Sequence, residues 1–237
     1  MRRICKIALF CGKINEKHRR RCMLGIIAAM QKEADVLLLQ SKDVQCAEKF
    51  GKKVYRAEFG GIPYLLVLSG IGKDNAAAAA MLALTEGADT LLNLGVAGGR
   101  AAWMHVGTVL QAERAVEPDF DLSAINRTPV GTHDERTQPH FDLVCGDKFP
   151  KGVLASADHF QTGADAQLLQ ALEADVCDME GASVAHVAWS AGVPCLIFKS
   201  ISDNANEKGA SDYAANCAYA LQKLGERMQD IFAESTK

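Results

Sequence analysis

The stretch MLGIIAAMQKEADVLLLQ, residues 23–40, decides the fold. Its first eight residues form a continuous apolar run, short enough for a strand buried on both faces, and QKEADVLLLQ then changes to helix-forming composition. The change recurs along the chain. SGIGKDN (69–75) leads into the helix AAAAAMLALTEGA, with Asp74 or Asn75 placed to cap it and Gly87 at its close. DTLLNLGV (89–96) is a second all-apolar strand, running into the glycines of GVAGG, and GTVLQAERAV (107–116) a further strand. Beyond residue 140 come the short runs HFDLV and GVLASAD, a helix around 165–173, the strand ADVCDM (174–179), a helix from Glu180 to Ser190, the strand VPCLIFKSIS (193–202) and one final helix, 211–232. VYRAEFGGIPYLLVLSG (54–70) reads as two strands around the Gly60-Gly61 turn. Buried strands alternating with helices predict an α/β fold, a central mixed sheet flanked by helices.

Composition agrees. The 237 residues are 49% hydrophobic and 23% charged, enough apolar material for one core, and no interior linker divides them. A single domain is expected over 23–237. Twenty-six basic and 29 acidic side chains leave a formal charge of −3, so no global positive field draws in nucleic acid or anionic lipid. No stretch reaches the roughly 18 apolar residues of a membrane span. The eight cysteines form no CxxC pair and no Cys/His cluster with ligand spacing, and several sit in apolar runs such as VPCLIF. Reduced thiols in a cytoplasmic protein, no structural metal and no cofactor are the expectations. Residues 1–22, MRRICKIALFCGKINEKHRRRC, imitate a signal peptide but lack its uninterrupted apolar region and its cleavage site. They are expected to be a leader outside the fold; the alternative is an edge strand over 4–10.

In such sheets ligands collect at the carboxyl ends of strands. Three acids stand there: Glu33, Glu180 and Asp203. Separated carboxylates suit glycoside-type hydrolysis, one activating water and another protonating the leaving group. The bland alternative is that each merely faces a helix N-terminus. Residues 117–140, with three prolines and many polar side chains, interrupt the rhythm as a long loop.

Five motifs taken together are more specific. LGIIAAMQKEAD, SGIGKDNAAAA, NLGVAGG, DMEGASVAHVA and FKSISDNA occur in this order and resemble the purine nucleoside phosphorylase superfamily, in particular the 5′-methylthioadenosine/S-adenosylhomocysteine nucleosidases. The resemblance covers nearly all of the chain from Met23 onward, apart from 117–140. It implies a nucleoside phosphorylase-like fold, cleavage of a small-molecule nucleoside without metal or cofactor, and a homodimer. It also implies roles. Glu33 would activate water, Glu180 would hold the ribose hydroxyls with Met179 beneath the sugar, and Asp203, oriented by Ser202, would protonate the purine N7. Phe160 would stack on the base, the Gln161 backbone would read the adenine edge, and Val96 and Gly98 of GVAGG would border the substrate.

A purine anion leaves poorly, so the acid must still carry its proton near neutrality, which requires apolar surroundings for Asp203. Strand alternation puts positions 199, 201 and 203 on one face, so Lys199 is left open as an opposing charge. Phosphorolysis would need arginines for an anionic nucleophile; the first motif has Glu33 instead, which favours water, while Arg100 and Lys32 are the cations that stand against this. GVAGG reads equally as a tight turn or as room for a ligand. Val96 stands where the family commonly has serine or threonine, and the aromatic-rich stretch for the 5′-thioalkyl group is not recognisable in 117–136, where Phe120 is the one aromatic. His159 is a candidate ligand contact and His186 a structural helix-face residue; Trp103 and Trp189 read as packing or interface residues. The expected products are adenine and a thioribose. The alternatives are a futalosine-type or other purine nucleoside, phosphorolysis, and a non-catalytic nucleoside-binding protein.

Overall fold

The computed structural model describes residues 23–206 and 208–236. The expected leader and the alternative edge strand over 4–10 lie outside them. In chain order the elements are β1 (Leu24–Ala28), α1 (Gln31–Leu38), β2 (Lys42–Lys49), β3 (Lys52–Phe59), β4 (Ile62–Leu68), α2 (Lys73–Thr85), β5 (Thr90–Gly99), β6 (Val109–Val116), α3 (Ser123–Asn126), β7 (Phe141–Asp142), β8 (Lys151–Ser156), α4 (Ala166–Ala171), β9 (Val176–Asp178), α5 (Gly181–Ala191), β10 (Cys195–Asp203), α6 (Gly209–Glu226) and α7 (Met228–Ser235).

The strands form one mixed sheet in the order β10-β6-β8-β9-β5-β1-β4-β3-β2, and β10 also pairs with β5, so one end closes on itself. β5 is the junction, parallel to β1 and β10 and antiparallel to β9 at Gly98 and Gly99. Strand alternation divides its apolar side chains between two cores. Ile27, Leu65, Leu91 and Ile197 pack toward α2 and α5, while Ile26, Leu66, Leu92 and Phe198 pack toward α1, α6 and α7. The alanine run of α2 buries Ala76, Ala79, Ala80 and Ala83 in the first core, where small side chains let helix and sheet approach closely.

Three readings need correction, and one strand is additional. GVAGG is not a turn: β5 continues through Gly99. The last helix is two, separated at Arg227. α2 has no side-chain cap from Asp74 or Asn75; its start is held by remote carboxylates, Asp158 Oδ1 accepting from Lys73 N at 2.8 Å and Glu180 Oε1 from Gly72 N at 3.0 Å. β2 was absent from the sequence reading because all eight of its residues are exposed, so neither an apolar run nor an alternating pattern marks it.

Candidate active site

A cavity of about 250 Å³ opens where the ends of β1, β5, β9 and β10 meet the starts of α5 and α6. Glu33, Glu180 and Asp203 all line it. So do Val96, Gly98, Phe160, Gln161, Met179 and Ser202, and every residue singled out for the site from the sequence therefore borders one space.

Glu33 sits in the first turn of α1, just past β1, and is buried. Its Oε2 accepts from Ala29 N (3.1 Å) and Met30 N (3.0 Å), and its Oε1 accepts from Val96 N at 3.0 Å. The helix-start reading is thus correct for Glu33 without excluding the other, since Oε1 accepts one bond and keeps a lone pair for water. Burial raises its pKa, and Lys199 and the three backbone N–H groups oppose the rise. The glycines of β5 make this geometry possible. A Cβ on Gly95 would stand 2.5 Å from Glu33 Oε1, and one on Gly98 would stand 2.7 Å from Asp203 Oδ1. Both are closer than real atoms approach, so the glycines of GVAGG leave room for the carboxylates themselves.

Asp203 ends β10. Ser202 Oγ donates to its Oδ2 at 2.9 Å, and Ala205 N donates to its Oδ1 at 2.9 Å. Burial raises its pKa, the two hydrogen bonds oppose that, and Asp212 adds to the rise. Lys199 does not act on it. The pairing register shifts between Ile201 and Asp203, which breaks the expected alternation. Lys199 turns instead to Asp178, with Nζ 2.7 Å from Oδ2 and both side chains at most 2% exposed.

Asp178 is a hub that sequence reasoning missed. It also accepts from Gly181 N at 2.9 Å and from Ser156 Oγ. Two residues on, Glu180 lines the cavity, accepts from Gly72 N, and has its pKa pushed up to about 7 by burial and by Asp178, with Lys199 pulling the other way. Burial alone would lower the Lys199 pKa, but Asp178, Glu180 and Glu33 together hold it above its ordinary value. A lysine inside an otherwise apolar strand was the available signal, because such a charge stays buried only with partners.

Phe160 is 42% exposed at the cavity and meets Tyr213 of α6 edge-on at 6.5 Å. Gln161 anchors its segment, donating from Nε2 to Ala155 O (3.1 Å) and Asp178 O (3.2 Å). Ile71, Tyr213 and His159 complete that side. Ile71 and Tyr213 carried no signal in sequence, whereas His159 had been a candidate contact. His186 lies elsewhere, beside Glu135. Arg100 donates to the carbonyls of Ala174 and Ala166, and Lys32 to Tyr213 Oη; neither lines the cavity. No residue of 117–140 lines it among the described residues.

Residues 23–237 match the family described as the phosphorylase superfamily. The chain belongs to that superfamily. The aminodeoxyfutalosine nucleosidase of Campylobacter jejuni is 30% identical over 204 residues, covering 80% of this chain and 89% of that protein. The 5′-methylthioadenosine/S-adenosylhomocysteine nucleosidase of Listeria welshimeri is 30% identical over 209 residues, 80% and 90% of the two chains. Among solved structures, the futalosine hydrolase of Helicobacter pylori superposes with a TM-score of 0.83 at 26% identity, covering 90% of this chain and 98% of that one. The 5′-methylthioadenosine/S-adenosylhomocysteine nucleosidase of the same organism, solved with butyl-thio-DADMe-Immucillin-A, gives 0.83 at 26% identity, covering 91% and 99%. Within the superfamily this chain stands with the nucleosidases and is an N-glycosyl hydrolase.

Proposed function

We propose that the chain hydrolyses the N-glycosidic bond of 5′-modified adenosines, 5′-methylthioadenosine and S-adenosylhomocysteine, releasing adenine and a thioribose. The observation that carries this is the meeting of Glu33, Glu180 and Asp203 around one nucleoside-sized cavity. In the proposed step Asp203 donates its proton to the purine N7 as the C1′–N9 bond breaks. Water adds to C1′ and gives its proton to Glu33, and solvent restores both carboxyl groups. A raised pKa suits Asp203 as the acid, because it keeps the proton until it is needed. Glu33 must be ionised to act as base, and Lys199 with the three N–H donors supports the anion against burial. Glu180 would hold the ribose hydroxyls above Met179, Phe160 would stack on the base beside the Gln161 backbone, Ser202 would orient Asp203, and Val96 and Gly98 would form the wall behind the sugar.

Water rather than phosphate is the nucleophile in this reading. No arginine or lysine lines the cavity among the described residues, so an anionic nucleophile would meet carboxylates without a clamp. A futalosine-type nucleoside is the second reading, favoured by the 30% identical aminodeoxyfutalosine nucleosidase. The proposal also takes the chain to be a cytoplasmic homodimer, for which a monomer in sedimentation at micromolar concentration is the contrary result. Incubation with 5′-methylthioadenosine, S-adenosylhomocysteine, aminodeoxyfutalosine and adenosine, each with and without phosphate, tests the substrate. Free adenine and a phosphate-independent rate are expected. A ribose 1-phosphate product would replace the hydrolysis, and faster turnover of aminodeoxyfutalosine would replace the substrate.

A further inference from the structure

Outside the nucleoside cavity, the described residues bring metal-ligating side chains together at one other place. Glu117 just past β6, His133 in the following loop and His186 on α5 each offer a ligand atom within 4.8 Å of the others. His133 is 6% exposed, and its Nε2 has no hydrogen-bond partner among the described residues, facing Glu117 Oε2 at 3.4 Å. A buried imidazole nitrogen left without a partner is destabilising unless something binds it. The rings are fixed in place by aromatic neighbours: Phe120 stacks on His133 with centroids 4.0 Å apart, and Phe141 on His186 at 5.2 Å. Glu135 Oε1, 3.0 Å from His186 Nε2, puts a second carboxylate beside the cluster.

We propose that Glu117, His133 and His186 bind a divalent transition-metal ion, zinc by the nature of the donors, and so clamp the loop after β6 onto α5. Two imidazoles and a carboxylate from three elements are a donor set that zinc takes, with water free to supply a fourth ligand. Tetrahedral zinc with bonds of about 2.0–2.1 Å wants its ligand atoms roughly 3.4 Å apart, so the cluster closes by rotamer adjustments on the order of 1 Å. Lys73 is the nearest competing cation, 3.4 Å from Glu117 Oε2, but its shorter bond is to Asp119 at 2.6 Å, which leaves Glu117 available. Arg136, stacked on Phe141 at 3.9 Å, is the other nearby cation. Glu117, Asp119 and Glu135 outnumber the two. The site is separate from the nucleoside cavity, and the inference does not depend on which nucleoside is cleaved.

The test uses the full chain, chelator-stripped under reducing conditions and titrated with Zn(II) and Co(II) against a chromophoric chelator. One ion per chain with Kd below about 1 µM is expected. The Co(II) form should show visible d–d bands without a thiolate charge-transfer band. His133→Gln and His186→Gln should each weaken binding by at least about tenfold, and zinc should raise Tm in the unsubstituted protein alone. His186 is only partly buried, so its variant keeps the test decisive if His133→Gln fails to fold. Absence of binding at that affinity, a thiolate band assigning the ion to cysteines, or unchanged binding in His186→Gln would each overturn the proposal.

Discussion

Lys199→Met removes the single buried cation among Asp178, Glu33 and Glu180 while keeping the length of the side chain. Nζ lies 2.7 Å from Asp178 Oδ2 with both groups almost fully enclosed, so the substitution leaves an uncompensated carboxylate in the core. Breaking a buried pair from one side costs about 3–5 kcal/mol. Adding Asp178→Asn to the same chain removes the stranded charge while Gly181 N and Ser156 Oγ retain a partner. The double variant should therefore recover at least about 2 kcal/mol relative to Lys199→Met alone. Denaturant unfolding at pH 7 with unchanged m-values measures both steps. A second readout separates charge from packing. Lys199 lowers the pKa of Glu33 and of Glu180, so its loss should move the acid limb of kcat/KM to higher pH. A cost below about 1 kcal/mol for the single variant, or a double variant no more stable than the single, would refute the reasoning that Lys199 compensates a buried Asp178 charge.

Asp203→Asn should lower kcat by about 10²–10⁴-fold with little change in Tm; near-normal turnover would remove Asp203 from the acid role. Glu33→Gln should fall similarly, and unchanged activity would place water activation elsewhere. Gly95→Ala puts a methyl group 2.5 Å from the present position of Glu33 Oε1, closer than contact allows, and should reduce kcat at least about tenfold through displacement of that carboxylate; full activity with Glu33 unmoved in a crystal structure is the contrary result. Glu180 adds a pH dependence of stability. Below pH 4.5 its carboxyl is protonated whether folded or unfolded, while between 4.5 and about 7 the unfolded chain releases the proton that the folded one keeps. Its contribution to stability therefore falls as pH rises through that window, by on the order of 1 kcal/mol per unit, and levels off above it. Comparing wild type with Glu180→Gln across pH 4.5–7.5 isolates this slope, and parallel curves would contradict it.

Patterns of hydrophobicity were enough to order most of the elements, because strands buried on both faces, such as β1 and β5, leave continuous apolar runs that no solvent-exposed segment imitates. The three carboxylates were legible for a related reason: acids placed just beyond such runs stand at the carboxyl ends of strands. Local pattern carries no information about contacts between distant residues, and there the tertiary structure decided. The pairing of Lys199 with Asp178 depends on two strands that are not neighbours along the sheet, and the register shift before Asp203 takes that acid off the face of Lys199. The glycines of GVAGG read equally as a turn or as room for a ligand, because a single chain does not reveal that Glu33 and Asp203 fill the space their missing side chains leave. β2 left no trace in sequence since its exposed residues answer to backbone pairing with β3 rather than to burial. Composition and order along the chain record what each segment buries; only the folded chain records what it buries it against.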